Sequence, residues 1–127
     1  MTAAIKILLI DDDDAVIAYL TRKLSPYYDI ISTTFPEMAT HIAAGEQPDV
    51  VLCDIDMPEM GGGEVAAALA ANPQTAAIPL IYLTSLVSPE EAKELDGVIS
   101  GRPGLSKRAS LSALMQSINA EVEARAC

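Results

Sequence analysis

Residues 49–62, Asp49-Val50-Val51-Leu52-Cys53-Asp54-Ile55-Asp56-Met57-Pro58-Glu59-Met60-Gly61-Gly62, decide how this chain is read. Val50 to Cys53 is a short, unbroken apolar run that stops at Asp54. A run of that kind is expected to be a strand buried on both faces. Gly61 to Ala71 then predicts an alanine-rich helix, which Asn72-Pro73 stops.

The same alternation extends in both directions. Upstream, Ile5 to Ile10 reads as a first buried strand, and Asp13 to Leu24 as a helix with Val16, Leu20 and Leu24 on one stripe. Asp29 to Thr33 is a weaker second strand. Pro36 opens a short helix that Gly45 is expected to close. Downstream, Pro79 to Leu83 is the fourth strand. Ser88-Pro89-Glu90-Glu91 opens a helix with the pattern of a capping box. Asp96 to Gly104 reads as a loop, Leu105-Ser106-Lys107 as a short fifth strand, and Leu111, Leu114, Met115, Ile118 and Val122 as the stripe of a last helix. Strand and helix alternate without a hairpin signal. The expected fold is therefore α/β: one doubly wound, five-stranded parallel sheet with about five helices on both faces.

Bulk properties narrow the function. The 127 residues fit one domain spanning 1–127, and no repeat or linker interrupts them. The formal charge of −10 repels nucleic acid and anionic membranes. No segment is long enough to insert in a bilayer, and the N-terminal apolar stretch is too short for a signal peptide. Cys53 and Cys127 make no disulfide framework, so a reducing, cytoplasmic setting is expected. His41, the only histidine, reads as a surface residue of the second helix.

In an open parallel sheet, function collects at the carboxyl ends of the strands. The first strand delivers Asp11-Asp12-Asp13-Asp14, the third Asp54 and Asp56, the fourth Thr84 and Ser85, and the fifth Lys107. Two carboxylates about 4 Å apart repel by roughly 4 kcal/mol at an effective dielectric near 20. Folding does not require that crowding, and a hard divalent cation such as Mg²⁺ offsets it. A carboxylate beside the cation can attack phosphorus, with Lys107 and Thr84 meeting the phosphoryl oxygens. Each piece also has a plain reading. Asp13 and Asp14 suit a helix N-terminus, and that reading stands beside the metal reading for Asp11 and Asp12. Asp54 to Asp56 can be a polar loop, Thr84 a strand-end hydroxyl, and Lys107 a solvated lysine. A calcium-loop reading fails for want of the glycine and distal glutamate at their offsets.

Taken together, ILLIDDDD, DVVLCDIDMPEMGG, IPLIYLTS and LSKRASLSALMQSI resemble the response-regulator receiver family along nearly the whole chain. The resemblance implies a flavodoxin-like strand order, 2-1-3-4-5, and a phosphoacceptor domain of two-component or phosphorelay signalling. It implies Asp54 as phosphoacceptor, Asp12 as a direct Mg²⁺ ligand, Asp11 as a ligand through water, and Asp56 as a ligand through its backbone carbonyl. Thr84 matches the switch hydroxyl, Ser85 the small residue that leaves room for the phosphoryl group, and Lys107 the phosphate-pairing lysine. Arg102-Pro103 competes with Lys107 for that last place, but it follows Thr84 too closely to leave room for a helix and a strand. The implied partner is a histidine kinase or histidine phosphotransfer protein, with a downstream protein target of unknown identity.

Two positions depart from the family pattern. Arg108 stands where proline usually follows the lysine, and Gly104 where an aromatic usually stands. They keep a rival reading open, a pseudo-receiver that signals without phosphate. A haloacid-dehalogenase-type phosphatase is a second rival on the strength of Asp54-Ile55-Asp56. Pro58, and an acidic pair that precedes the nucleophile, speak against it.

Overall fold

The computed structural model describes residues 4–84, 98–99 and 102–126. The apolar runs become strands β1 (Lys6–Ile10), β2 (Asp29–Thr33), β3 (Val50–Asp54) and β4 (Leu80–Thr84). They are followed by β5 (Val98–Ile99) and β6 (Arg102–Ser106). The helices among the described residues are α1 (Asp14–Leu24), α2 (Ala39–Glu46), α3 (Gly62–Ala71) and α4 (Leu111–Ala126), with a 3-10 turn at Pro36–Met38. Ser85 and the helix expected from Ser88 lie outside the described residues.

The sheet order is β2-β1-β3-β4-β6-β5. The first five strands in that order are parallel and reproduce the expected 2-1-3-4-5 frame. Strands β5 and β6 add an antiparallel hairpin at the edge, with Val98 opposite Pro103. Two expectations are corrected here. The last parallel strand runs from Arg102 to Ser106, not from Leu105 to Lys107, and part of the supposed loop before it is strand. Arg102-Pro103-Gly104 has no strand pattern of its own. Pairing with β4 on one side and β5 on the other holds it extended.

Alternation along the central strands splits the core into two layers. Leu8, Ile10, Val51, Cys53, Leu80 and Tyr82 pack with Ala39 and Ala43 of α2 and Val65 and Leu69 of α3. Ile7, Leu9, Val50, Leu52, Ile81 and Leu83 pack with Leu20 and Leu24 of α1 and Leu114 and Ile118 of α4. Both faces of β1, β3 and β4 are thus buried, which is why those segments read as continuous apolar runs rather than alternating ones.

Two helix ends show how local chemistry sets the boundaries. Asp13 caps α1, its side chain accepting from the Ala15 backbone N–H, and Asp14 lies in the first turn. Gly45 does not close α2. The helix continues to Glu46 and ends on Gln47, whose φ of 49° places it in the left-handed region. Its side-chain amide donates to the Gln74 carbonyl at 2.9 Å, which ties the strained residue to the loop after α3.

Leu114 is fully buried in the layer under α1 and α4. Leu114→Ala is expected to cost about 2–5 kcal/mol, whereas the exposed Ser112→Ala, one turn edge away, should stay within about 0.5 kcal/mol. Equilibrium urea unfolding of both variants checks this.

Candidate phosphoacceptor and metal site

Strands β1 and β3 end level with each other, Ile10 opposite Cys53, so the residues that follow meet at one sheet edge. Asp11 continues the parity of Ile7 and Leu9, and Asp54 that of Val50 and Leu52. Both carboxylates therefore fall on the α1/α4 side of the sheet. They are 1% and 3% exposed. Carboxylate oxygens of Asp11, Asp12 and Asp54 come within 4.8 Å of one another, and only Asp12 of the three is exposed.

Lys107 closes the site from the far strand. Its backbone N–H donates to the Thr84 carbonyl at 2.9 Å, which levels β6 with β4 and turns the lysine inward. The ammonium lies 2.8 Å from Asp11 Oδ2 and 3.2 Å from Asp54 Oδ1. Lys107, favoured over Arg102 in the sequence, thus reaches both buried carboxylates. Thr84, 3% exposed, ends β4 beside them. Asp56 is exposed and its carboxylate stands outside the cluster. Its backbone N–H is turned to the Asp54 side chain instead. The structure therefore gathers Asp11, Asp12, Asp54 and Lys107, with Thr84 adjacent, and leaves the Asp56 side chain at the mouth.

Asp11 is held by the Asp13 backbone N–H, which donates to Oδ1 at 2.9 Å. Oδ2 is buried and faces the Lys107 ammonium. Burial, then the charge of Asp11, push the Asp54 carboxyl from 3.8 up to about 6, against the pull of Lys107 and the Asp56 N–H. Burial draws the Lys107 ammonium down, yet Asp11 and Asp54 outweigh it and leave the group above its ordinary value. Burial and the same two carboxylates raise the Cys53 thiol to about 12, so this cysteine is an inert core residue.

Three carboxylates facing one ammonium leave an excess of negative charge in a poorly solvated edge. The all-oxygen donor set of Asp11, Asp12 and Asp54 fits a hard divalent cation of the Mg²⁺ type. The Lys107–Arg108 bond is trans, as are all peptide bonds among the described residues. Gly104 is buried and pairs with Tyr82, leaving no aromatic at that place.

One positioning residue escaped the sequence reading. The Gly62 backbone N–H donates to the Ile55 carbonyl at 2.9 Å. A Cβ on Gly62 would lie 2.6 Å from the Asp54 carbonyl oxygen and 3.0 Å from Ile55 Cα. Gly62 therefore lets α3 start hard against the backbone that carries Asp54. Nothing in the run Gly61-Gly62-Gly63 distinguishes it by pattern.

A family model described as the response regulator receiver domain matches residues 7–119. Protein PilH of Pseudomonas aeruginosa is 31% identical over 120 residues, which cover 91% of this chain and 95% of PilH. A probable cyclic di-GMP phosphodiesterase of Vibrio cholerae is 41% identical over 85 residues, 67% of this chain. The chain spans about a fifth of the length of that relative, 19%. Among solved structures, chemotaxis protein CheY4 of Vibrio cholerae is similar at a TM-score of 0.76 and 25% identity, covering 93% of this chain and 98% of that one.

Two outcomes test the site's electrostatics and its scaffold. A carboxyl raised in the folded state stabilises the fold below its unfolded value and loses that contribution as pH rises. For Asp54 the window runs from 3.8 to about 6. In chelator, Asp54→Asn should therefore raise stability at pH 7 by up to about 3 kcal/mol and change little at pH 4. Thermal melts across that range measure it. Gly62→Ala should cost about 1–3 kcal/mol through the backbone clash. Gly63→Ala, with nothing within 4 Å of its added Cβ, should instead gain about 0.5–1 kcal/mol.

Proposed function

The chain belongs to the response-regulator receiver family, and from that premise we propose that it is a phosphoacceptor. Asp54 takes a phosphoryl group from phosphohistidine on a histidine kinase or histidine phosphotransfer protein in the cytoplasm. The modified site then shifts a partner-binding surface. The observation that carries this reading is the Lys107 ammonium spanning Asp11 and Asp54 at 2.8 and 3.2 Å beside the exposed Asp12.

Chemically, an oxygen of the ionised Asp54 carboxylate attacks phosphorus as the phosphorus–nitrogen bond of phosphohistidine breaks, and the bonding pair stays on the imidazole. Lys107 already lies at the oxygen edge of Asp54, so its charge meets the phosphoryl oxygens with little rearrangement. In this reading the Thr84 hydroxyl, at the end of β4, donates to a second phosphoryl oxygen, and Ser85 leaves space for the group. Asp11, Asp12 and Asp54, with the Asp56 backbone carbonyl, would hold Mg²⁺, which supplies neutralisation of the charge that builds on the phosphoryl oxygens. Asp54 must be ionised to attack, and the presence of Lys107 favours that form.

The pseudo-receiver reading draws on Gly104, whose place opposite Tyr82 removes the usual swinging aromatic. The retained cluster of three carboxylates and a lysine favours phosphorylation over it. The phosphatase reading requires its second acidic pair after the nucleophile, whereas the acids that gather here precede Asp54.

Incubation with phosphoramidate and Mg²⁺ should add one phosphoryl group per chain, mapped to Asp54 by mass spectrometry and absent from Asp54→Ala. Lys107→Ala should slow labelling by about 10²–10³-fold. An unlabelled wild-type protein, or label that persists in Asp54→Ala, defeats the proposal.

A further inference from the structure

A groove of about 270 Å³ opens beside the carboxylate cluster, between the turn after β2 and the loop after β3. Phe35, Pro36, Met57 and Pro58 give it an apolar lining, and Glu37 and Glu59 stand among them. Asp12 belongs to the same lining, so groove and phosphoacceptor site are continuous.

The groove is built to present apolar surface. The Phe35 backbone N–H donates to Thr33 Oγ1 at 3.0 Å, which fixes the turn that carries the ring. Phe35 is 61% exposed and Met38, three residues on, 41%. Scattered exposed hydrophobes need no explanation, but Phe35 lines a groove, and Met38 adds a second exposed apolar side chain close by in sequence. Glu37 and Glu59 are exposed and enter no ion pair among the described residues.

Size and charge select the occupant. The volume falls below the range of roughly 300–1,000 Å³ typical of small-molecule sites, which suits one large side chain better than a metabolite. A second copy of this chain brings the same net charge of −10, and nucleic acid or anionic lipid brings phosphates. An arginine answers both features of the groove. Its aliphatic stem lies on apolar surface while its planar, permanently charged guanidinium meets carboxylates in a forked geometry that lysine lacks.

We propose that this groove receives an arginine of the protein that delivers the phosphoryl group, anchoring that partner beside Asp54. The proposal rests on the phosphoacceptor reading, because a protein presenting phosphohistidine to the cluster passes over the surface continuous with Asp12. Recognition is then divided. The cluster reads the phosphoryl group, and Glu37 and Glu59 read the protein that carries it.

The test is a titration of isotope-labelled protein in Mg²⁺ with the peptide acetyl-Ala-Arg-Ala-amide, followed by amide NMR. Saturable shifts are expected at Phe35, Glu37, Met38, Met57, Glu59 and Met60, with a roughly millimolar affinity suited to one anchor. The Glu37→Gln/Glu59→Gln variant should bind at least about fivefold more weakly, and peptides with lysine or norleucine in place of arginine should also bind more weakly. Equal binding of the norleucine peptide, or of the double variant, or shifts confined to Asp11 and Asp54, would overturn the proposal. Phosphoramidate labelling of Asp54 should be unchanged in the double variant. If labelling succeeds and the peptide does not bind, the groove proposal alone fails. If the peptide binds but Asp54 is never labelled, there is no phosphate-delivering partner and both readings fall.

Discussion

Among the described residues, three carboxylates and one ammonium share the edge where β1, β3 and β6 end, and the excess negative charge there is the constraint the scaffold has to hold. At separations up to 4.8 Å, each unneutralised pair of carboxylates repels by about 3–4 kcal/mol at an effective dielectric near 20. Lys107 cannot cancel that alone, and the rise of the Asp54 carboxyl despite the lysine beside it records the imbalance. Such an edge is unfavourable on its own terms. A divalent cation held by the same oxygens would offset the repulsion, which is why the proposed phosphoacceptor reading starts from this edge.

The scaffold has to hold that edge without yielding. Parallel pairing keeps Ile10 level with Cys53 and Thr84 level with Ser106, so a slip of one residue would disperse the cluster. Apolar layers on both faces oppose such slip, since moving a strand by one residue would exchange its two buried sides. Close approach at Gly62 adds a stop on the third side by seating α3 against the Asp54 carbonyl. Stability invested in the core thus offsets the strain placed at the edge.

Much of this was legible because burial on both faces leaves a simple trace. Val50 to Cys53 and Ile5 to Ile10 could hardly be anything else, and polar residues directly after such runs land at one sheet edge. Spacing behind Thr84 favoured Lys107 over Arg102, and the family resemblance suggested its role. The remainder depended on contacts that pattern does not encode. Arg102-Pro103-Gly104 is strand only because β4 and β5 flank it. Gln47, not a glycine, takes the left-handed position at the end of α2, where its side chain is held by Gln74. Asp54 and Asp56 look like a pair in sequence, yet once the strand ends the chain turns and the second carboxylate leaves the cluster.

Gly104 bears on how a change at Asp54 could be felt elsewhere. With no aromatic ring at that place, the described link between the site and the far edge of the sheet is backbone. It runs from Lys107 N–H to the Thr84 carbonyl, and through β6 into the β5 hairpin. Lys107 stands on it directly, holding Asp54 with its ammonium and Thr84 with its amide. One residue therefore joins the carboxylate edge to the register of β6, and through β6 to the hairpin.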